Sequence, residues 1–168
     1  MSFPRTSGVI LHPTSLPGRY GVGDLGDEAY KFIDFLASAG QHLWQVLPLG
    51  PTGYGNSPYQ CFSAFAGNTL LVSPERLLAD GLLGAADVAD APEFVEGEVE
   101  YGRAIEFKNA LLRKAFENFR AGTEPSIRSE FDSFRHDAAD WLDDYALYRA
   151  LKRERGEIAW TEWEPALV

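Results

Sequence analysis

His42-Leu43-Trp44-Gln45-Val46-Leu47-Pro48-Leu49, residues 42–49, is an apolar run closed by Gly50-Pro51, and it decides how the first half of the chain is read. Short, apolar and bounded by turn residues, it reads as a strand. Immediately upstream, Asp27 to Ala39 sets Ala29, Phe32, Ile33, Leu36 and Ala37 at helical spacings, with Tyr30 beside them. Asp24 or Asp27 can cap the start of that helix and Gly40 its end. Further upstream, Gly8-Val9-Ile10-Leu11-His12 is another short apolar run, closed by Pro13, and reads as a buried strand. Strand, helix, strand predicts a right-handed βαβ unit with parallel strands, and so an α/β fold class.

Downstream the chain changes character. Glu98 to Arg120 places Ile105, Leu112, Ala115, Phe116 and Phe119 along one helical face,. After a break at Gly122-Thr123-Glu124-Pro125, one longer helix is expected from about Ser126 to Arg155. Its Phe131, Phe134, Ala138, Trp141, Tyr145 and Tyr148 alternate spacings of three and four. Bulky aromatics over so few heptads point to packing on a neighbouring helix rather than to a coiled coil.

Charge divides the chain in the same way. Residues 1–80 hold four basic and six acidic residues, whereas residues 81–168 hold eleven and nineteen. A net charge of −10 speaks against a nucleic-acid or anionic membrane partner, both of which need clustered Lys and Arg,. The single cysteine, Cys61, allows no intrachain disulfide and reads as a small buried residue,. The opening Met1 to Ser7 lacks the apolar run of a signal peptide, and no stretch is long enough to span a bilayer, so a cytoplasmic location is expected,. No metal and no cofactor are expected.

Between Asp34 and Glu75 there is no Asp or Glu. Within that interval lies Gly50-Pro51-Thr52-Gly53-Tyr54-Gly55-Asn56-Ser57-Pro58-Tyr59-Gln60. Pyranose rings present apolar C–H faces and polar rims, so a sugar site pairs aromatic platforms with uncharged hydrogen-bonding groups. Tyr54 and Tyr59 offer the platforms; Asn56, Ser57 and Gln60 offer donors and acceptors. The same residues also suit a structural loop folded over its own core, and chemistry alone leaves both readings open. Gly21-Val22-Gly23-Asp24-Leu25-Gly26 matches the dinucleotide-binding glycine pattern. Pro13 and Pro17 separate it from the strand, however, and no carboxylate stands where the ribose would need one, so it reads as a tight turn,. His12 reads as a strand-end histidine holding a loop by hydrogen bonds, and Asp24, Asp27 and Asp34 as caps and solvated helix positions.

Leu11-His12-Pro13-Thr14-Ser15-Leu16-Pro17-Gly18, Tyr20 to Gly26, Trp44 to Gly53, Ser57-Pro58-Tyr59, Ser63 to Asn68 and Trp141 to Lys152 together closely resemble the amylomaltases and disproportionating enzymes, the 4-α-glucanotransferases of glycoside hydrolase family 77. The resemblance runs over almost the whole chain, in order. It implies the N-terminal part of a (β/α)8 TIM barrel: residues 1–72 its first strands and helix, 73–163 a mainly helical insertion, and 164–168 the start of a return. It implies transfer of α-1,4-glucan segments between malto-oligosaccharides, with retention, by two closely spaced carboxyl groups. Those carboxylates belong to later strands, so no catalytic residue is assigned here, and the chain is expected to be a fragment or truncated product, inactive alone. The alternative is a non-catalytic glucan-binding fragment. By the same resemblance Tyr59 stacks on the reacting sugar, Ser57 contacts neighbouring hydroxyls, and Tyr54 with Tyr101 forms a second glucan groove. One departure stands out: where the family usually has Gly-Gly before two tryptophans, this chain has Gly156-Glu157, then Trp160 and Trp163.

Overall fold

A computed structural model describes residues 5–122 and 125–167. The opening Met1 to Pro4, Thr123 and Glu124 of the expected inter-helix break, and Val168 lie outside the described residues. The chain forms two compact units, Met1–Thr123 and Glu124–Val168.

In the first unit, strand β1 (Gly8–Ile10) pairs in parallel with β2 (Leu43–Gln45), in the register Gly8 to Leu43, Val9 to Trp44 and Ile10 to Gln45. Helix α1 (Asp27–Ser38) connects them, so the strand-helix-strand order stands. Both strands are shorter than the expected 8–12 and 42–49. Pairing ends with the Leu11 N–H donated to the Gln45 carbonyl at 3.0 Å. Beyond it Pro13 and Pro48 have no N–H to offer, and Pro13–Ser15 turns into a 3-10 helix,. Nor are the strands buried within this chain: Ile10 and Leu43 are exposed, while Val9 and Trp44 are half-buried. One face, that of Val9 and Trp44, is partly covered, while the face of Ile10 and Leu43 is left open.

Helix α1 begins after Gly26, whose N–H donates to Asp24 Oδ1 at 3.0 Å, with Asp27 and Glu28 on its positive first turn,. It stops at Gly40, whose φ of 68° lets the Gly40 and Gln41 amides bond back to Ala37 and Leu36,. Phe32 meets the edge of Trp44 at 5.0 Å, and Trp44 Nε1 donates to the Leu11 carbonyl at 2.8 Å, tying helix, sheet and strand end together.

A short α2 (Pro74–Ala79) leads to the long α3 (Tyr101–Gly122). The buried seam of α3 is Ala104, Lys108, Leu111, Ala115 and Phe119. This corrects the expected face: Phe116 points to solvent, and a lysine occupies an inward position. Leu111 and Ala115 share a core with Tyr20, Leu83 and Val88, and the Tyr20 ring stacks on Phe107 at 5.7 Å. Lys108 Nζ donates to Asp24 Oδ2 at 2.8 Å and to the Leu70 carbonyl at 2.7 Å. Asp24 is therefore neither the expected cap of α1, whose cap residue is Gly26 with no side-chain bond to the first turn, nor a solvated residue. Its carboxyl is pushed up from the ordinary range by burial, against the pull of Lys108,. Burial likewise lowers Lys108 below the usual lysine value, against the pull of Asp24.

In the second unit the single long helix becomes two, α4 (Pro125–Asp137) and α5 (Leu142–Glu154). Residues 138–141 tighten into turns, Trp141 leaves the helical region with φ of −141°, and Ala138 is buried. The aromatic spacing continues in phase across the break, which hid it. Trp141 lies 6.3 Å from both Phe134 and Tyr145, so one ring bridges the two helices. Among the described residues no helix is long and apolar enough to cross a membrane.

Candidate functional site

The loop after β2 holds its own shape. Thr52 and Cys61 form an antiparallel bridge, Gly53 N–H donates to the Gln60 carbonyl at 2.9 Å, and Phe62 N–H to the Pro51 carbonyl at 3.0 Å. Side-chain atoms at Gly53 would strike the Gln60 carbonyl, which explains a glycine there,. At the tip, Gly55 and Asn56 take φ of 64° and 55°, the left-handed region that glycine and asparagine tolerate best,. Ser57 Oγ then accepts the Tyr59 N–H at 3.3 Å, and the Cys61 thiol donates to the Pro58 carbonyl at 2.8 Å. Cys61 is half-buried rather than buried, because it lines a cavity.

This closure turns the tyrosines outward. Tyr54 is 89% exposed and Tyr59 72%. Tyr59 borders an open cavity of about 550 Å³ together with Cys61 and Phe65, itself 71% exposed. Phe65 is the aromatic that sequence reasoning missed as a site candidate. Its signal was the same as that of Tyr59: an aromatic in a stretch without Asp, Glu, Lys or Arg from Phe35 to Pro74.

A smaller cleft of about 150 Å³ lies between the strand ends and the start of α3, lined by His12, Thr14, Asn56, Asn68 and Tyr101 among others. The structure thus brings Asn56 and Tyr101 to one cleft and Tyr59 to the other; Tyr54 lines neither. Tyr101 opens α3, and its hydroxyl donates to Thr14 Oγ1 at 3.3 Å. Beside it, Glu100 accepts from the Val95 N–H and from Arg103, which together hold its carboxyl below the ordinary range. His12 bonds on both sides, to Thr14 through Nδ1 and to the Pro48 carbonyl through Nε2, so it ties the strand end to the loop entrance.

No carboxylate lines either cavity. What the two linings offer a ligand is aromatic rings, hydroxyls and amides, with the His12 imidazole in the smaller cleft and the Cys61 thiol in the larger,. Among the described residues no group of His, Cys, Asp and Glu is arranged to hold a metal ion. The glycine pattern is a packed turn: a Cβ at Gly21 would run into the Phe94 ring, and the Asp24 carboxylate already occupies the amide at the start of α1 that a phosphate would need,.

Residues 11–168 match the family model of the glycoside hydrolase 77 enzymes, described as 4-alpha-glucanotransferase. The chain is 50% identical over 160 residues to the 4-alpha-glucanotransferase of Synechocystis sp., covering 95% of this chain and 32% of that protein. It is 50% identical over 163 residues to the 4-alpha-glucanotransferase of Thermus thermophilus, covering 97% of this chain and 32% of that protein. In structure it is similar to the amylomaltase of Streptococcus agalactiae solved in complex with acarbose, with a TM-score of 0.87 and 39% identity, over 96% of this chain and 32% of that one. The chain therefore spans about a third of the length of the curated relatives it matches.

Proposed function

Because the chain belongs to the glycoside hydrolase 77 family of 4-alpha-glucanotransferases, we propose that it supplies the sugar-binding loops of an enzyme transferring α-1,4-glucan segments between malto-oligosaccharides. In this reading β1, α1 and β2 are the first unit of a (β/α)8 barrel, whose active site is built at strand ends and following loops. Residues 73–163 form a helical insertion, and 164–168 begin the return to the barrel. Transfer proceeds with retention, through two carboxyl groups roughly 5–5.5 Å apart. In this reading those groups come from outside the segment, in keeping with two cavities that no carboxylate lines, and the 168 residues alone bind without turning over. A lone free cysteine and the absence of disulfides fit a cytoplasmic enzyme,.

The observation that carries this reading is Tyr59: an aromatic ring 72% exposed, held there by its own loop, beside an uncharged cavity. With Phe65, itself 71% exposed, on the same cavity, Tyr59 makes an exposed aromatic patch of the kind that marks a binding surface,. Ser57 fixes the backbone behind it, while Asn56 with Tyr101, and Tyr54 further out, extend the binding surface. In the protein carrying this chain, Tyr59→Ala should lower kcat/KM for maltotriose disproportionation by about tenfold or more, the scale expected for loss of a stacking platform. Activity within twofold of the parent, with folding intact, removes Tyr59 from the site. The second reading, a glucan-binding segment without chemistry, rests on the lack of carboxylates in both cavities. It predicts retained binding of maltoheptaose and no release of glucose from maltotriose.

A further inference from the structure

A chain of hydrogen bonds crosses the smaller cleft, and a single atom fixes its direction. The Thr14 backbone N–H lies 3.3 Å from His12 Nδ1 and can only donate,. Nδ1 is therefore the acceptor of the ring, which assigns the ring hydrogen to Nε2, the donor to the Pro48 carbonyl at 3.3 Å,. With Nδ1 an acceptor, the Thr14 hydroxyl 2.7 Å away gives its hydrogen to the ring. Only lone pairs of Thr14 Oγ1 then face Tyr101, so the Tyr101 hydroxyl donates, at 3.3 Å. The polarity runs one way, from Tyr101 through Thr14 and His12 to Pro48.

Thr14 sits at the middle of this chain and is 4% exposed. The links join three segments distant in sequence: the first residue of α3, the turn after β1 and the entrance to the tyrosine loop. His12, Thr14, Asn56 and Tyr101 all line the same cleft. We propose that Thr14 is a positioning residue for glucan binding, whose hydroxyl holds Tyr101 across the cleft from Asn56 and commits the Tyr101 oxygen to accepting from its ligand. This rests on the glucan-binding reading above. With its own hydrogen engaged by Thr14, Tyr101 Oη has lone pairs alone to present, and the ligand group that fits is a hydroxyl acting as donor. The 3.3 Å link is long for O–H···O, so it is the one a bound sugar can shorten.

Thr14→Val preserves shape and the backbone N–H and removes only the hydroxyl; Thr14→Ser restores it. In the protein that carries this chain, Thr14→Val should raise KM for maltoheptaose by about fivefold, in keeping with one lost hydrogen bond, and Tyr101→Phe by at least as much because it also removes the ligand's acceptor, while kcat stays within twofold in both. The double variant should be no worse than the poorer single, because both remove the same link. Thr14→Ser should return KM to within twofold of the parent. Additive losses, an unchanged KM in Thr14→Val, or a fall in kcat with KM unaltered would overturn the proposal. The ¹⁵N signals of His12 in the unsubstituted protein give a test independent of any sugar. They should show Nε2 protonated and Nδ1 bare, and a proton on Nδ1 would reverse the chain and sink the idea. If the protein binds no malto-oligosaccharide at all, the glucan reading fails, while the His12 signals still decide the direction of the bonds.

Discussion

The loops that follow the two strands are alike in composition and opposite in what they do with tyrosine. Residues 13–26 bury Tyr20 to 1% exposure, whereas residues 50–62 leave Tyr54 and Tyr59 almost bare. Both are rich in glycine and proline, so composition does not separate them. Cover does. Tyr20 stacks on Phe107 of α3, and Asp24 in the same loop meets Lys108 from that helix. The second loop closes on itself through the Thr52–Cys61 bridge, its own backbone bonds and the short Ser57 and Cys61 side chains, and this leaves its two tyrosine rings outside the packing. A loop held by its own backbone can offer its rings to a ligand; a loop held by its side chains cannot.

The comparison breaks most sharply at Lys108. Lys108→Met strands the buried Asp24 carboxylate and should cost about 3–5 kcal/mol, measured by urea unfolding at neutral pH. The sign of the pH dependence follows from burial. Asp24 is already raised, and without Lys108 nothing offsets that rise except the Gly26 amide. A group whose folded pKa lies above its unfolded value favours folding below the unfolded value and loses that contribution as pH rises through the folded one. The deficit of Lys108→Met relative to the parent should therefore shrink as pH falls toward the ordinary carboxylate range. An equal deficit at neutral and acidic pH would show that the charge of Asp24 is not what Lys108 serves.

A smaller effect separates two glycines. Gly21 and Gly55 both have positive φ, 77° and 64°, but a side chain at Gly21 meets the Phe94 ring while nothing lies within 4 Å of Gly55. Gly21→Ala should lose about 2–3 kcal/mol, strain and collision together, and Gly55→Ala about 1 kcal/mol from strain alone. Equal losses in thermal unfolding would mean that the two loops are anchored alike. Smallest of all should be Tyr54→Ala, within about 0.5 kcal/mol of the parent in stability. Its expected effect is weaker binding of long amylose with kcat on maltotriose unchanged. A fall in unfolding midpoint as large as that of Gly21→Ala would make the tyrosine loop structural.

Much of the first unit was legible because its signals are local. The parallel pair follows from two short apolar runs around an amphipathic helix, and Gly40 ends α1 by the conformation only glycine adopts freely. The seam of α3 was not legible. A lysine reads as an outward residue, and the partner that draws Lys108 inward lies 84 positions away. The break between α4 and α5 was hidden by aromatic spacing that stays in phase across it. In the loop, the chemistry of Tyr54, Asn56, Ser57 and Tyr59 left a sugar-facing surface and a structural loop equally open. That Asn56 shares a cleft with Tyr101 could not be read, because it depends on how the start of α3 meets the turn after β1.

The run from Phe35 to Pro74, which contains no Asp, Glu, Lys or Arg, also sets how this surface meets its ligand. If the ligand is the neutral oligosaccharide proposed above, its rate of encounter is set by diffusion and orientation, and neither rate nor affinity should move as ionic strength is raised. The carboxylates that give the molecule its charge of −10 stand elsewhere in the chain and act on solubility instead,.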